Sequence, residues 1–332
     1  MDSNVKAVGI LGTGSYVPER IITNKDLEKI IDTTDEWIVT RTGISERRNA
    51  EEKMATSDMS IIAAERALAA AGTKAEELDL VIVATITPDM FFPATACIVQ
   101  EKIGAKKAAA FDLSAACTGF IYGLSVAAQF IASGMYQKIL VVGAEKLSSI
   151  LNPGDRSTFV IFGDGAGAAV LGPVEEGSGF LSFELGSDGS GAGLLYLEAG
   201  GSRLPASWET VEGGKHYLVM HGNDVFKFAV RMMDDAAMKA LAKAGLTTDE
   251  IDYLIPHQAN IRIVDAATKR LKLSTEKVYV NLDKYGNMSG ASIPVALDEA
   301  VRKGRIKNGD VIVLVGFGAG LTWGSSVIRW SY

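Results

Sequence analysis

Two pairs of segments in this chain resemble each other at one common spacing. Ala67-Leu68-Ala-Ala-Ala71-Gly72, followed by Glu77-Leu78-Asp79-Leu80, corresponds to Ala240-Leu241-Ala-Lys-Ala244-Gly245, followed by Glu250-Ile251-Asp252-Tyr253; the shift, 245 minus 72, is 173 residues. Further along, Ile139-Leu-Val-Val-Gly143 corresponds to Ile312-Val-Leu-Val-Gly316, and 316 minus 143 is again 173. One alanine-rich helix matches another easily by chance. Two unrelated segments sharing an offset imply instead a duplicated half-chain with its seam near Pro173. The expected halves are residues 1–174 and 175–332, and if a pseudo-twofold axis relates them, corresponding positions meet in space.

The runs at 80–84, 139–142 and 311–315 are nearly continuous in apolar residues, as strands covered on both faces must be. Helical stretches alternate with them, which predicts an α/β architecture with sheets buried between helical layers. With 48% hydrophobic residues in 332, the chain can fill a deep core.

Several classes of function are disfavoured. The opening Met1-Asp-Ser-Asn-Val-Lys-Ala-Val-Gly-Ile10 carries an acid, reads as a strand and lacks the basic-then-apolar order of a signal segment. No run approaches the roughly 18 apolar residues that a membrane helix needs. A net charge of −7 opposes general nucleic-acid binding, so any acidic partner must meet a local basic patch. The two cysteines, Cys97 and Cys117, form no disulfide framework and no metal-ligand spacing. The expectation is a cytoplasmic protein without zinc or another metal.

Cys117 lies in Asp112-Leu-Ser-Ala-Ala-Cys117-Thr-Gly-Phe120, where an apolar strand turns directly into a helix. Amide N–H groups and the positive end of the helix dipole favour a sulfur anion there, and small neighbours leave room for substrate, so Cys117 reads as a nucleophile. Cys97, inside an apparent helix over 94–100, reads as core packing. Adding the offset to 117 gives Gly290, in Tyr285-Gly286-Asn287-Met-Ser-Gly290, also a turn before a helix. Pseudo-symmetry therefore brings Asn287 towards Cys117, although an Asn at a tight turn explains the residue equally. His257 follows the apolar strand 251–255 at its carboxyl end, where open α/β sheets place ligands; a loop or cap role is its plainer explanation. His216 and His221 read as strand-edge residues, with either still open as a partner for the cysteine.

Gly163-Asp-Gly165-Ala-Gly167 and Gly316-Phe-Gly318-Ala-Gly320 lack the full dinucleotide-loop spacing, and no Walker pattern occurs. The glycines of 316–320 suit close backbone approach, with main-chain N–H groups pointing into a site as oxyanion donors. Arg262, Lys269 and Arg270 share one face of an expected helix over 258–271, serving either solvation or docking. Trp37 and Arg41, four residues apart, suit a nucleotide-bearing ligand or a Trp packed on an Arg stem.

Taken together, Asp112-x-x-Ala-Ala-Cys117-x-Gly-Phe120, His257-Gln-Ala-Asn260, Tyr285-Gly-Asn287-x-Ser289 and Gly318-Ala-Gly320-Leu-Thr-Trp-Gly324 resemble the β-ketoacyl-acyl-carrier-protein synthase III family from end to end. The resemblance implies a thiolase-like fold, two duplicated halves in an αβαβα arrangement with mixed sheets. It implies that Cys117 is acylated by a short acyl-CoA, acetyl or branched. His257 and Asn287 would then stabilise the enolate formed as malonyl-acyl-carrier protein loses carbon dioxide. Backbone N–H groups of Cys117 and Ala319 would form the oxyanion hole. By the same resemblance, acyl-CoA is contacted by Trp37, Arg41, Arg156, Asn223, Phe226, Asn260 and Ile263, and is a substrate, so that no cofactor is expected. Carrier protein would dock on Gln258, Ala259, Asn260, Ile261 and Arg262 with Lys227, Lys269 and Arg270. Phe92, Leu147, Phe162 and Met220 would bound the acyl pocket, Phe92 by crossing a homodimer interface. A ketosynthase or acyltransferase of specialised metabolism and a non-catalytic carrier-binding scaffold are the competing readings. Intact Cys, His and Asn positions oppose the scaffold, and the absence of any cysteine after Cys117 opposes a thiolase proper.

Overall fold

The computed structural model describes residues 6–332. The first strand expected from the sequence begins at Val8, and positions 1–5 of that segment lie outside the described residues. One sheet holds β1 (Val8–Tyr16), β2 (Leu80–Ala84), β3 (Ala109–Leu113), β4 (Ile139–Glu145) and β5 (Gly165–Pro173), in the order β1-β5-β4-β2-β3. The other holds β6 (Gly179–Ser187), β7 (Tyr253–Pro256), β8 (Val311–Gly318) and β9 (Thr322–Arg329), in the order β7-β8-β9-β6. Within the pairs β2–β3, β2–β4 and β7–β8 the strands are parallel, and the remaining pairs are antiparallel.

Aligning β2-β4-β5-β1 with β7-β8-β9-β6 superposes order and strand sense. The register agrees as well: Leu80 pairs with Ile139 and Tyr253 with Ile312, each residue displaced by 173 from its counterpart.

The longer helices are α1 (Asp35–Thr42), α2 (Thr56–Ala70), α3 (Thr95–Lys102), α4 (Gly119–Ala132), α5 (Gly222–Ala244), α6 (Ile261–Arg270) and α7 (Ser292–Arg302). Between the sheets lie α4 and α7. Phe120, Ile121 and Leu124 of α4 and Ile293 and Leu297 of α7 pack against Ile82, Ile139 and Val141 on one side and Ile255, Ile312 and Leu314 on the other. On the outer face of the first sheet, Met59, Ala63 and Ala67 of α2 and Val99 of α3 cover Val81, Leu140 and Val142. Over the second sheet, α5 and α6 cover Leu254, Val313 and Val315. The result is five layers, αβαβα. Successive strand residues face opposite layers, Ile139 and Val141 inward and Leu140 and Val142 outward, which is why these strands read as unbroken apolar runs.

Three local expectations need correction. The helix read at 94–100 is Thr95–Lys102, and Cys97 on it is exposed beside the edge strand β3 rather than packed in a core. The helix read at 258–271 begins only at Ile261, because Asn260 accepts the Arg262 amide and caps it. The strand read at 251–255 begins at Tyr253; just ahead of it the Asp252 amide donates to the Val311 carbonyl at 2.9 Å, while the Val311 amide is taken by the Asp252 carboxylate at 2.8 Å rather than by a main-chain carbonyl. Among the described residues no helix is long and apolar enough to cross a membrane.

Candidate active site

A short 3-10 turn precedes each central helix, Ala116–Thr118 before α4 and Ser289–Ala291 before α7. Each turn is entered by a non-glycine residue in the left-handed region, Ala116 at φ 47° and Ser289 at φ 45°, again 173 residues apart. An L-residue held there costs roughly 1–2 kcal/mol, so both halves store the same strain where a strand must reverse into a helix. Cys117 immediately follows the strained Ala116. The end of β8 comes into backbone contact with it: a Cβ at Gly318 would fall 2.8 Å from the Cys117 amide nitrogen, so only glycine fits.

His257 follows β7, and its amide donates to the Val315 carbonyl at 2.7 Å. The next residue fixes the turn. Gln258 donates to the Pro256 and Tyr279 carbonyls and accepts the Asn281 amide. Asn287 is bridged to Phe162, and its Oδ1 accepts the Ser289 amide at 2.8 Å, which leaves its NH2 group free to donate into the cavity it lines.

Two cavities meet at Cys117. A tunnel of about 350 Å³ runs from Trp37, Arg41 and Arg262 past Asn223, Phe226 and Ile263 to Cys117, His257, Asn287 and Phe317. A second, apolar cavity of about 180 Å³ is walled by Ile86, Leu147, Ile150, Phe162 and Leu218, with Cys117, Ser289 and Ala319. Neither the Cys117 nor the Ala319 amide is engaged by a carbonyl of the surrounding turns.

The electrostatics correct one expectation. Burial pushes the Cys117 thiol up to about 12; a hydrogen bond from Ser289 lowers it, and the nearby Glu145 charge raises it. A helix dipole typically contributes 0.3–1 kcal/mol, less than one pKa unit, so desolvation wins and favours the thiol over the thiolate. Burial likewise pushes the His257 imidazole down to about 3, and neither ring nitrogen has a hydrogen-bond partner. At neutral pH it is an uncharged ring with one N–H to give, its edge against Phe317 at 5.5 Å between centroids.

The other residues singled out from the sequence divide. The guanidinium groups of Arg41 and Arg156 each lie 4.6 Å from the centre of the Trp37 ring. Asn260 borders the tunnel, but its side chain is spent on the Arg41 carbonyl and on capping α6. Leu147 and Phe162 wall the apolar cavity, whereas Met220 lines the tunnel instead. Phe92 is 84% exposed and borders neither cavity of its own chain, so within one subunit it is no pocket residue.

Of the expected docking residues, Arg262 stands at the tunnel mouth over Phe226 and Ala259 borders the tunnel, while Ile261 packs beneath Gly43. Lys269 is exposed. Arg270 is held by Asp234 at 3.0 Å, and Lys227 lies 3.6 Å from Asp224. Gln258 is fully buried and cannot face a docking protein: its amide is the lock of the turn. His216 bonds Thr210, His221 precedes α5, and neither borders either of these two cavities.

The sequence reading gave no site role to Ser289, although it belongs to the Tyr285-Gly-Asn287-x-Ser289 motif, and left Glu145 unread. Besides the motif, the offset reaches Ser289, as the counterpart of Ala116. An acid ending the otherwise apolar Ile139–Glu145 was the available signal for the other.

Comparison with known proteins agrees with this geometry. A family profile described as 3-oxoacyl-[acyl-carrier-protein (ACP)] synthase III matches residues 111–189, and its C-terminal counterpart matches 241–330. The beta-ketoacyl-[acyl-carrier-protein] synthase III of Caldanaerobacter subterraneus subsp. tengcongensis is 63% identical over 325 residues, 98% of each chain, and that of Clostridioides difficile is 61% identical over 328, 99% of each. Among solved structures, the synthase III from Thermus thermophilus is 54% identical with a TM-score of 0.92, covering 97% of this chain and 99% of that one. The priming β-ketosynthase of the R1128 polyketide pathway is 39% identical at the same TM-score, covering 99% and 97%. With its whole length shared, its two sheets in register and its cysteine at the junction of two cavities, the chain belongs to the β-ketoacyl-[acyl-carrier-protein] synthase III family.

Proposed function

We propose that this condensing acyltransferase joins a short acyl-CoA primer to malonyl-acyl-carrier protein, through an acyl group on Cys117, to begin fatty acid synthesis. The observation that carries the reading is the position of Cys117 between a polar-mouthed tunnel and an apolar cavity. A pantetheine arm fits the tunnel, and the acyl group it delivers turns into the apolar cavity. Cys117 attacks the thioester carbonyl, the Cys117 and Ala319 amides hold the oxyanion, and CoA leaves. Malonyl-carrier protein then enters the same tunnel. The neutral His257 N–H and the free Asn287 NH2 donate to its thioester oxygen, carbon dioxide departs, and the enolate carbon takes the acyl group from Cys117. A donor of this kind is worth about 3 kcal/mol.

The remaining assignments belong to the same reading. Trp37, Arg41 and Arg156 receive the nucleotide once Arg156 swings off the indole, and Arg262 with Lys269 receives an acidic carrier protein. The duplicated halves divide at 174/175. Phe91 and Phe92, 81% and 84% exposed, together with the open outer edge of β3, favour a homodimer. The enzyme works in the cytoplasm and consumes acyl-CoA as substrate, without a cofactor. Identity of 63% to the Caldanaerobacter subterraneus synthase III, against 39% to the polyketide-priming ketosynthase, favours fatty acid synthesis over specialised metabolism. Incubation with acetyl-CoA should add one acetyl group to the peptide carrying Cys117, read by mass spectrometry. An unmodified Cys117 peptide in an enzyme that turns over would refute the assignment.

A further inference from the structure

Glu145 ends β4 and Gly318 ends β8, and they stand 173 residues apart, as do Cys117 and Gly290. The two strand ends make the same crossing contact in opposite directions. Gly318, from the second half, abuts the turn that carries Cys117, where its Cβ would fall 2.8 Å from the Cys117 nitrogen. Glu145, from the first half, abuts the turn that carries Gly290, where a Cβ on that glycine would fall 3.3 Å from Glu145 Oε1. The second turn is therefore a copy of the first with its chemistry removed. At the common offset Gly290 stands for Cys117, Ala84 for His257 and Ser114 for Asn287. Only in this copy is the crossing strand end an acid.

That acid is fully buried, and its oxygens serve different halves of the molecule. Towards the loop after β2, Oε2 accepts Thr87 Oγ1 at 2.7 Å and, each at 3.2 Å, Thr85 Oγ1 and the Ile86 amide. Towards the turn before α7, Oε1 accepts Ser289 Oγ at 3.1 Å and the Gly290 amide at 3.4 Å. The Gly290 amide is the counterpart of the Cys117 amide, and the Lys146 amide that of Ala319. Lys146 gives its N–H to Thr87 Oγ1 at 2.8 Å, and the Thr87 proton passes on to Glu145. Both amides that hold a passing oxyanion in the proposed reaction thus have counterparts committed to a permanent carboxylate, one directly and one through a hydroxyl.

We propose that Glu145 is a positioning residue: by filling the degenerate copy of the site it clamps the Ser289–Gly290 turn, and through the Ser289 amide it keeps the Asn287 carboxamide turned with its NH2 group towards the substrate. This rests on Asn287 serving decarboxylation. The link is short. Asn287 Oδ1 accepts the Ser289 amide at 2.8 Å, and Ser289 is held in the left-handed region at φ 45°. An L-residue leaves that region when nothing restrains it. Glu145 takes the hydroxyl of Ser289 and the amide of the next residue, so it restrains the strained residue on both sides. Once released, the turn carries the Ser289 amide away from Asn287, whose carboxamide can then rotate and present its oxygen, in place of its N–H, to the forming enolate.

Glu145→Gln tests the clamp at constant size. A glutamine has one acceptor oxygen for donors on two sides. The loop side presents three donors, and its threonine oxygens already accept the Thr87 and Lys146 amides, so the glutamine oxygen stays there and its NH2 group faces the Gly290 N–H. The turn is freed while the loop after β2 is kept. Acetyl transfer from acetyl-CoA to Cys117, followed by rapid quench, should be spared. Release of labelled carbon dioxide from malonyl-carrier protein should fall by about a hundredfold, with a melting temperature confirming the fold. Added to Asn287→Ala, the same change should cost little more, because both act on one group. Undiminished decarboxylation, equal losses in both half-reactions, or a full further loss in the Asn287→Ala background would each overturn the clamp. Should Glu145→Gln fail to fold, Ser289→Ala decides by the same split between half-reactions, since Ala116 already holds this left-handed backbone in the corresponding turn. An Asn287→Ala enzyme that still decarboxylates sinks the reading of Asn287 itself, an outcome seen without any change at Glu145.

Discussion

A neutral imidazole and a carboxamide are a suitable pair for an enolate because both donate hydrogen bonds without bringing a charge into a dry site. His257 is uncharged because burial opposes protonation, and its idle nitrogens are what an incoming carbonyl oxygen would satisfy. Asn287 donates because its oxygen is already spent on Ser289. His257→Ala and Asn287→Ala should therefore keep acetyl transfer to Cys117 but lose malonyl decarboxylation by about a hundredfold or more. The two half-reactions are measured by acetyl labelling and by release of labelled carbon dioxide. Equal losses in both would make His257 the base that activates the cysteine. The residue types were legible in the sequence; their protonation was not, since a pKa depends on which segments of both halves enclose the group.

The central helices set the spacing of the layers. On α4, a Cβ at Gly123 would lie 2.8 Å from Val141 Cγ1 on β4, whereas the corresponding residue of α7, Ala296, carries its methyl fully buried. Replacing Gly123 by alanine gains about 1 kcal/mol of helix propensity but forces overpacking that costs about 1–3 kcal/mol. Val141 is β-branched and stiff and sits in a central strand, so it cannot turn aside, and the cost should win. Gly123→Ala is expected to lower the urea midpoint by an amount equivalent to about 1 kcal/mol. A raised midpoint would mean that α4 lifts off β4 freely. Periodicity placed these elements correctly but erred at their ends: the start of α6 is set by the Asn260 cap and by the buried Gln258 lock, both of which contact residues distant in sequence.

At the scale of the whole molecule, the duplication gives one complete cavity system but an asymmetric surface. The first sheet ends in the edge strand β3, which the exposed Cys97 contacts, and Phe91 and Phe92 are exposed in the loop before the helix that carries Cys97. The protein should sediment at twice its 35.2 kDa, and Phe91→Asp with Phe92→Asp should shift it towards the monomer. A wild-type monomer by sedimentation velocity would remove the homodimer and Phe92's proposed place in a partner's pocket. The sequence by itself determined the two halves, the layered α/β class and the positions of Cys117, His257 and Asn287, because periodicity, spacing and motif are written along the chain. Only the tertiary structure decided that burial favours the thiol form of the sulfur, that Gln258 is buried, that Arg270 is tied to Asp234 and that Ser289 is hydrogen-bonded to a buried Glu145. Each of these depends on which groups from the opposite half or a neighbouring helix close over the residue, and the desolvation and hydrogen bonding so imposed exist only after folding.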